Sequence, residues 1–261
     1  MTSGISSVQP VTVPRHGARS WKRYTSYAFT SKYSIAPLSG AEFPKAALSL
    51  PIAFAPNDDG YVPVAVLGLE SEQNLLVGPS GGWLAGYVPA EFRSYPFLLA
   101  DTVDGQRVLC VDEGSGLVTD GSEGQAFFAP DGQLAPPLQQ VFNFLSDVES
   151  RRIPTRAAIA ILHQFELIQP WELAIELEGK IHRITGLYRV NAERLDGLSD
   201  EAFVSLRQHG ALLLAHLQAL STQHMGRLLD LSRQRWHATR ALQSEVEEPQ
   251  LAFLKSDTIR F

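Results

Sequence analysis

The chain has 261 residues, of which 44% are hydrophobic and 19% charged, so it is long enough to bury a sizeable core. Its formal net charge of −6 argues against nucleic acid as a general partner, because phosphate binding needs a basic surface. The single cysteine, Cys110, excludes an intrachain disulfide and a cysteine-rich metal site. No segment approaches the roughly 20 apolar residues of a membrane span, and the N-terminus lacks a secretory apolar run. We therefore expect a cytoplasmic protein.

Charge divides the N-terminal half into two parts. Residues 1–35 contain five basic and no acidic residues, whereas residues 36–131 contain three basic and thirteen acidic ones. We predict that residues 1–38 form a flexible basic arm outside the main domain. The arm either lies on the acidic part of its own chain or binds an acidic partner.

Residues 39–132 show the pattern of short strands. Apolar runs such as "ALSLPIAFA" (47–55), "YVPVAVLGL" (61–69), "PFLLADT" (96–102) and "QRVLCVD" (106–112) are separated by turn signals such as Asp104-Gly105. This spacing predicts a mostly antiparallel sheet or a small barrel.

Residues 133–240 form a mainly helical half. One helix is predicted from Pro137 to about residue 148, and a second from Pro154 to about residue 165. A β-hairpin follows over 171–190, and a long helical pattern runs from Ser199 to about residue 240, where Gly210 and Gly226 are possible breaks. Residues 241–261 are a separate tail. The fold class is α+β: a mostly antiparallel sheet or small barrel, then a helical half that contains a hairpin.

Catalytic motifs are weak throughout. "GPSGG" (78–82) fits the GxSxG pattern, but Gly86 and Pro89 follow where a helix is required, so a glycine turn is the better interpretation. Histidines 209, 216 and 224 are seven or eight residues apart, roughly 10 Å along a helix, too far for neighbours to share one metal ion. We assign no catalytic, cofactor-binding or metal-binding residue. Convergence of Asp101, Asp112, Glu172 or His182 on an unrecognised metal site remains an alternative.

The segment 78–101, "GPSGGWLAGYVPAEFRSYPFLLAD", concentrates aromatic residues among glycines and prolines. Such a composition suits either a core corner or a protein interface, where aromatic residues and arginine are enriched. We expect Tyr87 and Phe97 inside the protein and Phe92, Arg93 and Tyr95 on its surface. The candidate partner-binding residues are Trp83, Tyr87, Phe92, Arg93, Tyr95 and Phe97.

Several blocks occur together in one order: "AEFPKAALSLPIAFAP", "GYVPVAVLGLESEQNLLV", "GGWLAGYVPAEFRSYPFLLA", "EGQAFFAPDGQLAPPLQQVFNFL" and the stretch from "ELIQPWELAIELEGKIHRITGLYRV" to "LLLAHLQALS". In these blocks, over about residues 40–235, the chain resembles the bacterial SapC family. The family is named for a surface-layer locus and carries no family-wide catalytic set. Similar proteins are often encoded beside TonB-dependent receptors, flavin-dependent halogenase-like enzymes and cupin-like proteins.

The resemblance implies a non-catalytic accessory protein. It would bind a protein or peptide and assist a neighbouring enzyme, such as a flavin-dependent halogenase-like or cupin-like protein, or an envelope uptake system. A surface-layer structural or export-related role is the second hypothesis, and a metal-assisted enzyme is the third.

Overall fold

A computed structural model describes residues 7–102, 104–177 and 180–254. Thirteen strands lie in these ranges: β1 Val8–Pro10, β2 Arg19–Trp21, β3 Ile35–Pro37, β4 Ile52–Asn57, β5 Gly60–Val66, β6 Phe97–Asp101, β7 Arg107–Asp112, β8 Val118–Asp120, β9 Gln125–Ala126, β10 Ile168–Pro170, β11 Leu173–Leu177, β12 Lys180–Ile184 and β13 Tyr188–Val190. The α-helices are α1 Val13–His16, α2 Phe43–Ala46, α3 Ala90–Arg93, α4 Pro136–Gln164, α5 Ala192–Asp196, α6 Asp200–Gln208, α7 Ala211–Ser221 and α8 Met225–Leu254. The predicted α+β class is confirmed.

The largest sheet has five antiparallel strands in the order β10-β13-β4-β5-β3. Its centre is the hairpin of β4 and β5, which turns between Asn57 and Gly60. Consecutive residues of β4, from Ile52 to Phe54, are all buried, which means that both faces of this strand are covered. Two three-stranded sheets, β1-β7-β6 and β8-β2-β9, and the β11-β12 hairpin complete the β-structure. The sheets in the described ranges do not close into a barrel, so of the two predicted alternatives the structure has the mostly antiparallel sheet.

The basic N-terminal segment lies within the fold, which differs from the separate arm expected from the sequence. It supplies β1, β2 and β3 to three different sheets. Its charge is matched by the chain's own acidic part: Arg15 and Arg19 pair with Glu113 at 2.6 and 2.9 Å. The hydrogen bond from Arg15 lowers the pKa of Glu113 to about 2. Strand pairing and these ion pairs hold the segment on the domain.

Helix α4 runs without interruption over 29 residues, so the prediction of two helices here is wrong. Pro154 lies inside it, although an interior proline removes a backbone hydrogen bond and costs about 3 kcal/mol. Burial at both ends offsets this cost. Leu138 and Leu145 pack in a small core with Trp21 and Phe97, and residues of the C-terminal half pack against the five-stranded sheet.

Helix α4 therefore joins two hydrophobic cores. The main core lies between the five-stranded sheet and helices α4, α6, α7 and α8, with Phe43, Phe54 and Leu162 fully buried. The small core lies between the two three-stranded sheets and the N-terminal half of α4.

The predicted long helix after Ser199 is divided into three. Ser199 caps α6 as expected, and its hydroxyl accepts a hydrogen bond from the Ala202 N–H at 3.3 Å. Gly210 adopts a φ of +71°, which separates α6 from α7. A second division is a 3-10 turn over Thr222–His224, whereas Gly226 lies inside α8. Helix α8 continues into the predicted tail as far as Leu254, and the tail's last residues, 255–261, lie outside the described residues.

The predicted hairpin is present as β11 and β12, while residues 178–179 at its turn lie outside the described residues. It is shorter than predicted, because Tyr188–Val190 form β13, which pairs with β10 and β4. None of the described helices combines the length and apolar character needed to cross a membrane.

Candidate functional site

The segment 78–101 is anchored to the main core by the buried carboxylate of Glu42. One oxygen, Oε1, accepts hydrogen bonds from the Tyr87 hydroxyl at 2.9 Å and from the Ala90 N–H at 2.8 Å. The other, Oε2, accepts from the N–H and the hydroxyl of Ser39 at 2.8 and 3.0 Å, which closes a capping box. Burial, followed by the nearby Glu42 charge, raises the pKa of Tyr87, so its hydroxyl stays a donor. Glu42 thus fixes the start of α3.

The six candidate residues divide between the interior and the surface. Phe97 is buried as predicted, and Tyr87 is half-buried. Trp83 is also half-buried, and its indole N–H donates to the Tyr87 carbonyl at 2.8 Å. Arg93 is exposed, as expected for a surface residue, and Tyr95 is half-buried.

The prediction that Phe92 lies on the surface is wrong, because its side chain is only 2% exposed. It lies on the helical turn α3 next to exposed Arg93, and its ring makes edge contacts with Phe29, Tyr33 and Trp83 at centroid distances of 5.5–6.3 Å. Successive residues of a helical turn point about 100° apart, so one can face the core while the next faces solvent.

Two cavities lie beside this segment and share Ser94, Tyr95 and Phe97. The first, which we call the aromatic cavity, has a volume of about 350 Å³ and is walled by Phe29, Tyr33, Phe92, Tyr95, Leu145 and Val148. Tyr95 stacks on Phe29 with ring centroids 3.9 Å apart and an interplanar angle of 7°. The cavity lies where residues of both cores meet, between α3, β6 and α4.

Ion pairs line part of the aromatic cavity. Arg152 of α4 pairs with Glu149 at 2.5 Å and with Glu91 of α3 at 3.3 Å. The pairing bridges the two helices across the cavity. The cavity therefore combines aromatic walls with a polar edge, as is common in ligand and peptide pockets.

The second cavity, which we call the arginine cavity, has a volume of about 440 Å³. Trp21, Tyr24, Phe97 and Phe144 supply apolar wall area, and Arg23 and Arg93 are its charged lining residues. The Arg93 guanidinium lies 4.9 Å from the centre of the Phe144 ring, a cation–π distance, and donates to the Tyr87 hydroxyl at 3.1 Å. Burial raises the pKa of Tyr24 to about 12, so this hydroxyl is neutral at physiological pH.

Sequence reasoning missed the contributions from outside the segment. The N-terminal region supplies Tyr24, Phe29 and Tyr33, and α4 supplies Phe144 and Leu145. The aromatic-rich run "YTSYAFTSKY" (24–33) was a usable signal.

The residues considered for metal chemistry have other roles where they are described. Asp101 pairs with Arg107 at 3.4 Å, and an Asp112 oxygen accepts from the Gly114 N–H at 3.0 Å. Across the described ranges, no three His, Cys, Asp or Glu side chains come together as a metal site. The His182 side chain is outside the described residues.

The histidines and Ser80 are likewise placed by local structure. His209 and His216 each contact a carbonyl one turn earlier in their helices, and His224 contacts the Ala47 carbonyl at 3.0 Å. Ser80 lies in a turn in which Gly81 has a φ of +80°. The GxSxG motif therefore forms the glycine turn that was expected.

These features define an α+β protein in which an aromatic segment separates two open cavities. A family model described as SapC matches residues 12–228, most of the chain. The chain belongs to the SapC family, and the match begins earlier than the expected residue 40, which agrees with the N-terminal strands being part of the fold. No curated protein and no solved structure matches the chain.

Proposed function

We propose that the protein is a non-catalytic accessory protein that binds a protein or peptide partner through the aromatic cavity. The observation that carries the proposal is the aromatic cavity itself, an open pocket at the junction of α3, β6 and α4 with aromatic walls. An apolar side chain of a partner would enter this pocket, as anchors do at protein interfaces. The proposed partners are enzymes encoded beside its gene, in particular flavin-dependent halogenase-like or cupin-like proteins, in the cytoplasm.

The surroundings of the cavity support a preformed site. Hydrogen bonds from the Tyr87 hydroxyl and the Ala90 N–H to Glu42 fix the start of α3, and two bonds from Ser39 hold the carboxylate itself. The ion pair between Arg152 and Glu91 links α4 to α3. A pocket whose walls are already ordered loses less conformational entropy when a partner binds. Tyr33, at the opening, is 49% exposed and therefore accessible to a partner.

The test measures binding of the purified full chain to each purified protein encoded beside its gene, by calorimetry or biolayer interferometry. Tyr33→Ala removes an exposed wall of the aromatic cavity. We expect it to weaken binding about 10-fold or more, because aromatic anchors commonly contribute over 1 kcal/mol. Its matched control is Phe203→Ala, which removes an aromatic side chain of similar exposure, 45%, from α6.

An equal loss of binding affinity in Tyr33→Ala and Phe203→Ala would show that the aromatic cavity is not the binding surface. Failure of every neighbouring protein to bind would refute the accessory role. Thermal unfolding of both variants checks that each retains its fold.

A further inference from the structure

The charged side chains that line the arginine cavity are both arginines. Its lining residues include Arg23 and Arg93 and no Asp or Glu. Neither arginine makes an ion pair with any described carboxylate, whereas other arginines nearby, such as Arg15, Arg19 and Arg152, do. Two guanidinium groups at one cavity repel each other, and an anion between them would relieve that repulsion.

The rest of the cavity wall is aromatic or apolar. Half-buried Phe144 offers a ring face, the rings of Trp21 and Phe97 border the cavity with only 2% and 3% exposure, and Pro137 and Val141 of α4 complete the apolar part. An inorganic anion would leave this apolar surface uncovered. The lining thus matches an organic anion whose apolar part is next to its charge.

We propose that the arginine cavity binds an aromatic or large apolar group that carries a carboxylate. The apolar group lies against the rings of Trp21 and Phe144, and the carboxylate accepts hydrogen bonds from Arg23 and Arg93. Arginine suits this role because its planar fork of N–H donors pairs with the two oxygens of a carboxylate. Arg93 is already oriented by the Tyr87 hydroxyl and by the Phe144 ring.

This chemistry has two possible sources: a free arylcarboxylic acid or the C-terminal carboxylate of a polypeptide that ends in an apolar residue. This site is distinct from the proposed partner site in the aromatic cavity, although the two cavities share Ser94, Tyr95 and Phe97. One ligand and one partner can therefore occupy neighbouring sites on the two sides of the same segment.

The experiment titrates the full-length protein with phenylacetate and with phenylacetamide, its neutral counterpart. Binding is followed by calorimetry and by the indole N–H resonances of protein labelled with ¹⁵N-tryptophan. Trp21→Phe assigns the resonance of the residue in the cavity wall. We expect phenylacetate to shift the Trp21 resonance and to bind at least about 10-fold more tightly than phenylacetamide.

Two variants test the named donors. Arg23→Gln and Arg93→Gln each remove the charge while keeping a side chain of similar length, and we expect each to weaken phenylacetate binding about 10-fold. Arg207→Gln, at an exposed arginine of α6, is the matched control and should leave the affinity unchanged. Thermal unfolding verifies the fold, since Arg93 also contacts Tyr87 and Phe144.

A second pair of probes distinguishes the sources. A short peptide ending in phenylalanine is compared as the free acid and as the C-terminal amide. Binding of the free-acid peptide and of phenylacetate supports a polypeptide terminus, and binding of phenylacetate alone supports a small acid. Absence of binding by both acids, or equal binding of the acids and their amides, overturns the proposal. These probes need no protein partner, so their failure is distinguishable from failure of the accessory function.

Discussion

Replacing Glu42 by glutamine tests whether one buried carboxylate holds the aromatic segment in place. The carboxylate accepts two pairs of hydrogen bonds, each pair made by one hydroxyl and one backbone N–H. A glutamine side chain retains one accepting oxygen, and its NH₂ group faces the other pair. The hydroxyl of that pair can rotate to accept, but the backbone N–H cannot, so one buried donor loses its acceptor.

An unsatisfied buried donor and the loss of charge-assisted bonds together cost about 2–3 kcal/mol. We therefore expect Glu42→Gln to lower the free energy of unfolding, measured by urea denaturation, by about this amount. Glu70→Gln, at an exposed glutamate, is the matched control and should change it by about 0.5 kcal/mol at most. Tyr87→Phe, which removes one bond to the carboxylate and the exposed bond from Arg93, should cost about 1 kcal/mol. A Glu42→Gln protein as stable as the Glu70→Gln protein would refute this account of the anchor.

The N-terminal ion pairs predict acid sensitivity. The hydrogen bond from Arg15 lowers the pKa of Glu113 in the folded protein from 4.5 to about 2. The stability that Glu113 contributes is therefore complete above about pH 4.5 and is lost as the pH falls toward 2. Burial lowers the pKa of His16 below 6.5, which adds to the loss of stability below that pH. Between pH 7 and pH 2, the free energy of unfolding of Glu113→Gln should fall less steeply than that of the wild type. Equal pH dependence of the two proteins would contradict the role given to Glu113. Gly68→Ala should destabilise by about 1–3 kcal/mol, because an added Cβ would meet a backbone carbonyl oxygen at 1.8 Å. Gly226→Ala, in a helix with open space around it, is its control and should be neutral or stabilising by up to about 1 kcal/mol in the same denaturation assay.

Local sequence patterns were sufficient for much of the fold. The β4–β5 and β6–β7 pairs follow from short apolar runs separated by turn residues, and the hairpin of β11 and β12 follows from alternation. These signals depend on neighbours in sequence. The break at Gly210 likewise follows from the freedom of glycine to adopt positive φ.

Two predictions about the fold are wrong, the division of α4 into two helices and the separate N-terminal arm, and both depend on interactions between distant residues. Pro154 is tolerated inside α4 because each end of that helix is buried in a different core, which the local pattern does not reveal. The charge of the N-terminal segment alone favours a separate arm. Its strands are short, and the partners of β1 and β2, such as the β7 residues that pair with β1, lie about 100 positions away.

The candidate site was the least predictable part, because its residues serve two purposes at once. Phe92 and Phe97 are buried, yet each also faces one or both cavities, whereas Arg93 between them is exposed. A sequence can show that a segment is rich in aromatic residues. Which of them are buried depends on the rings that distant parts of the chain pack against them. Here the N-terminal segment contributes Phe29, which stacks on Tyr95, and α4 contributes Phe144, which lies beside Arg93. The two alternatives considered for the segment, core corner and binding surface, are therefore compatible: the buried rings hold Arg93 and Tyr95 at the openings of two cavities.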